Sequence, residues 1–181
     1  MTTDYSVIAC FDMEMTCWRK DQHHKTTGEI ISIGVAELCL NTGKILRESH
    51  YYVKPEVDKV SDFCQELTGI TQKVVDNQGR PLEQVLESIK GRYGGAKKLY
   101  AAWGQDGDIL REECSAKGIS SPIENHINVA QIYMARKRHK GGRVSMKKAM
   151  TESGICFDGK QHNALVDVIA LARVITVNNL L

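Results

Sequence analysis

Ser6-Val7-Ile8-Ala9-Cys10-Phe11-Asp12-Met13-Glu14-Met15-Thr16 joins an apolar run to a pair of acids near the start of the chain. After Ser6 the run Val7 to Phe11 is apolar and rich in β-branching, the composition of a strand with at least one buried face. Two acids follow with one residue between them. Positions two apart on a strand share a face, so Asp12 and Glu14 converge on one spot while Met13 points away. Outward from there, Glu29 to Leu40 (EIISIGVAELCL) is a longer apolar strand, Asn41-Thr42-Gly43-Lys44 is turn chemistry, and Ile45 to Val53 completes an antiparallel hairpin. Three strands open the chain.

From Ser61 the period changes. Ser61 caps a helix with apolar positions Phe63, Cys64 and Leu67, and Gly69 ends it. Thr71 begins another short turn, and Leu82, Val85, Leu86 and Ile89 form a helical stripe. Lys98 to Trp103 is a strand, followed by a loop and a helix around Ile109 to Ala116. Ile127 to Val129 is a weaker strand. Helices follow over Gln131 to Arg138, Ser145 to Ser153 and Ala164 to Leu180, the last with the stripe Ala164, Val168, Leu171, Ala172, Ile175. This order predicts an α/β fold, with helices on a mixed sheet whose first three strands are antiparallel.

The 181 residues, 42% hydrophobic and 25% charged with three prolines, predict one soluble domain over 1–181. The net charge of +2 hides a sorting: residues 1–90 carry 10 basic and 14 acidic side chains, and 91–181 carry 14 and 8. Six cysteines without a C-x-x-C pair argue against a structural zinc site. MTTDYSVIACFD has neither the basic nor the long apolar region of a secretory leader, so the cysteines are expected reduced and mostly buried in a cytoplasmic protein. No run approaches the roughly 18 consecutive apolar residues of a membrane span.

Asp12 and Glu14 repel each other unless a cation sits between them, and hard divalent ions prefer such oxygen ligands. By itself the D-x-E pair fits solvated acids at a strand end better than a metal site. Asp167 lies at the start of the last helix, one residue off its apolar stripe, an awkward place for an uncompensated charge. His162 precedes that helix, free of its hydrogen bonding, and imidazole, with an ordinary pKa of about 6.5, suits taking a proton from water near neutral pH.

Together, the Asp-x-Glu strand, an Asp opening a middle helix and a final His-x-x-x-x-Asp resemble the DEDDh 3′–5′ exonucleases. These are the RNase H-like group that includes RNase T and the proofreading subunit of replicative polymerases. The similarity runs through nearly the whole chain and is greatest to the Eri1-type branch of histone-mRNA and RNA-interference exonucleases. Phe11 to Trp18 (FDMEMTCW), Leu67-Thr68-Gly69-Ile70-Thr71, Ser61-Asp62-Phe63-Cys64 and Asp158-Gly159-Lys160-Gln161-His162 carry it. The resemblance implies an RNase H-like fold with helices on both sheet faces. It also implies two Mg²⁺ or Mn²⁺ ions held by Asp12, Glu14, Asp106 and Asp167, and His162 as the base that accepts a proton from the attacking water. By the same analogy Glu14 bonds the terminal ribose, and Met13, Met15, Thr16 and His162 lie at the terminal nucleotide. The implied partner is a single-stranded or overhanging nucleic-acid 3′ end, RNA favoured over DNA, cut to nucleoside 5′-monophosphates. RNase T-like relatives include dimers, so a homodimer is compatible with the resemblance.

The third acid requires a choice within Trp103-Gly104-Gln105-Asp106-Gly107-Asp108-Ile109-Leu110. In this family the metal-binding Asp is followed three and four residues on by apolar side chains. Asp106 has Ile109 and Leu110 there, whereas Asp108 has Arg111 and Glu112. The loop is about one residue shorter than in the related branch, so Asp108 remains the alternative. Met15 departs from relatives with a small residue after the Glu, which alters packing against the terminal nucleotide. An exonuclease acting on DNA and an idle nucleic-acid-binding domain are the competing functions; the presence of all five expected side chains opposes the second.

Other features admit two readings. The segment Arg136 to Lys148 holds seven cations, with no acid between Glu124 and Glu152, and fits a phosphate contact or a solvated loop. Trp18 and Trp103 flank the acidic motifs and fit base stacking or core packing. His23-His24 fits a solvated loop better than a metal clasp, and Cys17 lacks the basic neighbour of a nucleophile.

Overall fold

The computed structural model describes residues 5–19, 21, 28–156, 159 and 161–181. Its strands are β1 (Val7–Met15), β2 (Ile30–Cys39), β3 (Lys44–Tyr52), β4 (Tyr100–Ala102) and β5 (His126–Asn128). Its helices are α1 (Asp62–Thr68), α2 (Gln72–Gln78), α3 (Leu82–Tyr93), α4 (Asp106–Lys117), α5 (Val129–Arg136), α6 (Met146–Glu152) and α7 (Ala164–Asn178). The strands form one sheet in the order β3-β2-β1-β4-β5. β1, β2 and β3 pair antiparallel, and β1 with β4 and β4 with β5 pair parallel, which gives the mixed sheet expected from the element order.

Alternation along β1 divides the core. Ile8 and Cys10 face α5, α6 and α7, whereas Ala9, Phe11 and Met13 face α3 and α4. Phe11 meets Tyr100 edge to face at 6.0 Å, and burying each ring contributes about 1.5–3 kcal/mol. A smaller cluster of Ile31, Cys64, Ile70 and Val75 lies under α1 and α2. Helices therefore cover both faces, as expected.

The caps explain where several helices begin. The Ser61 and Thr71 hydroxyls accept the N–H groups of Cys64 and Val74, and Gly69 closes α1 with φ 80°. Several boundaries differ from the sequence pattern, and the stretch after Thr71, expected as a short turn, is the helix α2. α4 starts at Asp106, three residues before its first large apolar side chain, so the acid belongs to the first turn and not to a preceding loop. Val129 opens α5 and does not end a strand, because the Asn128 side chain accepts the N–H of Ala130 and caps the helix there. Among the described residues no helix is long and apolar enough to cross a membrane. Cys10, Cys64 and Cys114 are buried thiols, Cys17 and Cys39 half-buried and Cys156 exposed.

Candidate active site

β1 delivers Asp12 and Glu14 to the face covered by α7. Asp12 pairs across the sheet with Gly34 of β2, and there the first turn of α7 touches the strand directly. A Cβ on Gly34 would lie 2.2 Å from the carbonyl oxygen of Ala164, so only glycine lets the helix come this close. Asn163 caps α7 by accepting the N–H groups of Leu165 and Val166, both at 3.2 Å. Asp167, in that first turn, then points back to β1. Carboxylate oxygens of Asp12, Glu14 and Asp167 lie within 4.8 Å of one another. The backbone N–H of His162, held at φ 62°, donates to Asp167 Oδ2 at 2.9 Å and ties the histidine to this acid.

Asp106 enters from the first turn of α4, outside that triplet but close enough for its charge to act on both β1 acids. Burial, then Asp106, Asp167 and Glu14 hold the Asp12 carboxyl well above the usual range. Burial, Asp167 and Asp106 push Glu14 up to about 8, and burial pushes Asp106 up to about 7. Asp167 is also raised by burial, although the N–H groups of His162 and Asn163 oppose this. Four acids that cannot comfortably ionise together, all with oxygen donors, fit a hard divalent cation, whose charge would remove the repulsion.

Asp108 turns outward. Its side chain is 54% exposed and pairs with Arg111 at 3.0 Å. Met13 borders the acidic cavity, but its side chain packs in the core of the opposite face, and Met15 packs against that same core. Thr16, expected at the terminal nucleotide, is tied into the fold by its own bonds. It is 2% exposed, its hydroxyl donates to Asp58 Oδ2 at 2.8 Å and accepts the N–H of Glu29 at 2.8 Å, and its own N–H goes to the Glu29 carbonyl. Thr16 thus extends the β1–β2 pairing beyond the bulge at Met15 and anchors the loop after β3. Glu29 completes this anchor by accepting the N–H groups of Glu56, Val57 and Asp58 and pairing with Lys117 at 3.1 Å.

The acids open onto a cavity of about 380 Å³ that His162 and Lys147 also line. It shares Lys147, Gln161 and His162 with a cavity of about 720 Å³ beside α1 and α6. On its other side it shares Trp103 and Ser145 with one of about 590 Å³ bordered by Asp106 and Arg143. Trp103 combines both readings of its ring: its indole N–H donates to the Val144 carbonyl at 3.1 Å, it packs on Tyr133, and it lines both cavities. Of the basic segment, Arg143 and Lys147 reach the trough, while Lys137 lies over Tyr133 and Lys148 pairs with Glu152 at 3.8 Å. Burial, with Cys64 beside it, pushes the Cys17 thiol up to about 12, as expected of an inert thiol. Trp18 is half-buried. His23, His24, Asp158 and Lys160 lie outside the described residues. Sequence reasoning missed Gln161 and Gly34; the signal for the second was a glycine inside a strand.

Residues 9–175 match the Exonuclease (RNase_T) family. The chain is 33% identical to the 3′-5′ exonuclease Snipper of Drosophila melanogaster, covering 90% of this chain and 66% of the fly protein. It is 32% identical to ERI1 exoribonuclease 2 of Mus musculus, covering 90% of this chain but only 27% of the mouse protein. Among solved structures, a 3′-exonuclease recognising the histone mRNA stem-loop superposes with a TM-score of 0.86 at 27% identity, over 97% of this chain and 64% of that one. The nuclease domain of 3′hExo, a DEDDh family member bound to rAMP, superposes with a TM-score of 0.83 at 28% identity, over 95% and 90%. The five-stranded mixed sheet is accordingly that of the RNase H-like 3′-exonucleases. With the match running from β1 into α7, the two elements that bring Asp12, Glu14 and Asp167 together, the chain belongs to the RNase_T exonuclease family.

Proposed function

We propose that this exonuclease removes nucleotides from the 3′ end of single-stranded or 3′-overhanging RNA and releases nucleoside 5′-monophosphates. The observation that carries the proposal is the convergence of three carboxylates from β1 and α7 within 4.8 Å, beside a histidine tied to one of them, at the floor of an open trough. Asp12, Glu14, Asp106 and Asp167 would hold Mg²⁺ or Mn²⁺. Bound there, divalent ions supply a water of lowered pKa and neutralise charge on the phosphodiester. The His162 ring, exposed at the cavity wall, accepts the proton of the attacking water. Its backbone bond to Asp167 keeps the ring's loop beside the acids whether or not the ring is protonated. Lys147 and Arg143 border the trough on either side of the acids and offer charge to the strand's phosphates. RNA is favoured over DNA because several relatives at about 30% identity are named exoribonucleases.

RNA and DNA of one sequence, labelled at the 3′ or the 5′ end, test this reading. The 3′ label should leave first as a monophosphate, 5′-labelled RNA should shorten stepwise and faster than DNA, and EDTA should stop both. His162→Ala should slow the reaction by about 10²-fold or more. Turnover that survives chelation removes the metal, and faster loss of DNA removes the sugar preference. The trough cations make a separate prediction. Arg143→Glu and Lys147→Glu should each weaken RNA binding and reduce the slope of log affinity against log salt by about 1 or more. A slope equal to that of the unsubstituted protein would assign both side chains to solvent.

A further inference from the structure

We infer that Gly107 and His126 form a seat that fixes Asp106 relative to the acids of β1, which makes both of them positioning residues for the acidic site. The inference rests on Asp106 being a ligand, as proposed above. A Cβ built on Gly107 would lie 2.2 Å from Cδ2, 2.4 Å from Nε2 and 2.5 Å from Cγ of His126. The imidazole therefore lies against the backbone of the residue after Asp106, in the space that any other side chain would need. Gly107 sits inside the first turn of α4 and is not among the glycines with positive φ. Backbone conformation does not call for glycine here, and glycine inside a helix is less favourable than alanine. Close approach of the ring is what offsets that cost.

The ring cannot easily step aside. His126 is the first residue of β5, pairs with Tyr100 of β4, and its side chain is 13% exposed. Arg111 Nη2 lies 3.3 Å from Nδ1, and because guanidinium only donates, Nδ1 accepts and the ring proton sits on Nε2. Nε2 in turn faces Asp108 Oδ1 at 3.6 Å, and Asp108 pairs with Arg111. The ring is thus gripped by two side chains of the same helix that it supports. α4 also lacks the usual device for holding a first turn: Gln105 at its N-cap makes no side-chain capping bond. The His126 seat takes that role and sets the height of Asp106 above the sheet edge.

Mn²⁺ titration followed by electron paramagnetic resonance, with thermal unfolding of each protein, tests the seat. Asp106→Asn is the reference for losing the acid. Gly107→Ala should weaken Mn²⁺ binding by about 10-fold or more, the scale of outer-shell substitutions. Gly107→Ala combined with His126→Ala, in which the new methyl occupies space vacated by the ring, should recover most of that loss. Wild-type Mn²⁺ affinity in Gly107→Ala alongside weakened binding in Asp106→Asn overturns the seat and leaves the ligand standing. Wild-type affinity in Asp106→Asn removes the ligand and the seat with it. Should Gly107→Ala not fold, the double variant decides: folding with near-wild-type affinity supports the seat, and failure to fold or no better binding than Asp106→Asn overturns it.

Discussion

Asp12→Asn is expected to abolish release of a 3′ label while making the metal-free protein harder to unfold. Both effects come from one carboxylate. As a ligand it helps place charge stabilisation worth several kcal/mol in the transition state, so its loss should lower turnover on the order of 10³-fold or more. Without metal the same carboxylate is a liability, because burial and three neighbouring acids hold its pKa well above the ordinary range. The sign of the pH dependence follows. A carboxyl raised in the folded state binds more protons there than in the unfolded chain, so the stability it confers is present at low pH. That stability is lost as pH rises through the folded value. The window runs from the ordinary carboxylate range up to about 7 and 8, where Asp106 and Glu14 ionise. Thermal unfolding in chelator between pH 5 and 8 should show a falling Tm that Asp12→Asn flattens and that added Mg²⁺ or Mn²⁺ opposes. Each 1 kcal/mol recovered reads as about 2–4 °C. Below pH 5 the trend should turn over. Burial raises Glu29, but three backbone N–H groups and Lys117 outweigh it and lower its carboxyl, so its contribution is lost on acidification. An Asp12→Asn protein with the unsubstituted pH slope would show that these acids do not repel in the fold.

Gly34→Ala is expected to cost about 3 kcal/mol, the upper end for overpacking, and about 10²-fold in turnover of the protein that still folds. The added methyl would meet the Ala164 carbonyl oxygen at 2.2 Å, its carbon at 2.4 Å and the Leu165 nitrogen at 2.7 Å. These are backbone atoms of a helix start and cannot rotate away. α7 must lift, and Asp167, three residues further on, lifts with it. Gly91→Ala provides the contrast: nothing lies within 4 Å of a Cβ there, inside α3, so alanine should stabilise by about 0.5–1 kcal/mol. Thermal melts of both variants with Mn²⁺ binding would check the pair. A Gly34→Ala protein with normal Mn²⁺ affinity would show that α7 tolerates displacement without moving its acid.

Much of this was legible before the structure. The β-branched apolar run before Asp12 and the turn at Asn41 to Lys44 mark the opening strands, and Ser61 marks a helix start through its own side chain. Such signals are local, since a cap satisfies N–H groups two or three residues away. The start of α4 was harder to place because Gln105 makes no such bond. The resemblance places Thr16 at the terminal nucleotide, and no local signal shows that Asp58, 42 residues away, takes its hydroxyl.

Most of the element order, the shared face of Asp12 and Glu14, and the family resemblance are legible in the sequence alone, because backbone periodicity and residue spacing are written along the chain. That Asp167 closes on those two acids, that Asp106 comes near enough for its charge to act on them while Asp108 pairs with Arg111, and that Gly34 and Gly107 leave room for this are outcomes of tertiary packing. Those outcomes depend on how closely α7 and α4 seat against the sheet. Helix seating is a collective result of close packing among residues far apart in the chain, and no local pattern encodes it.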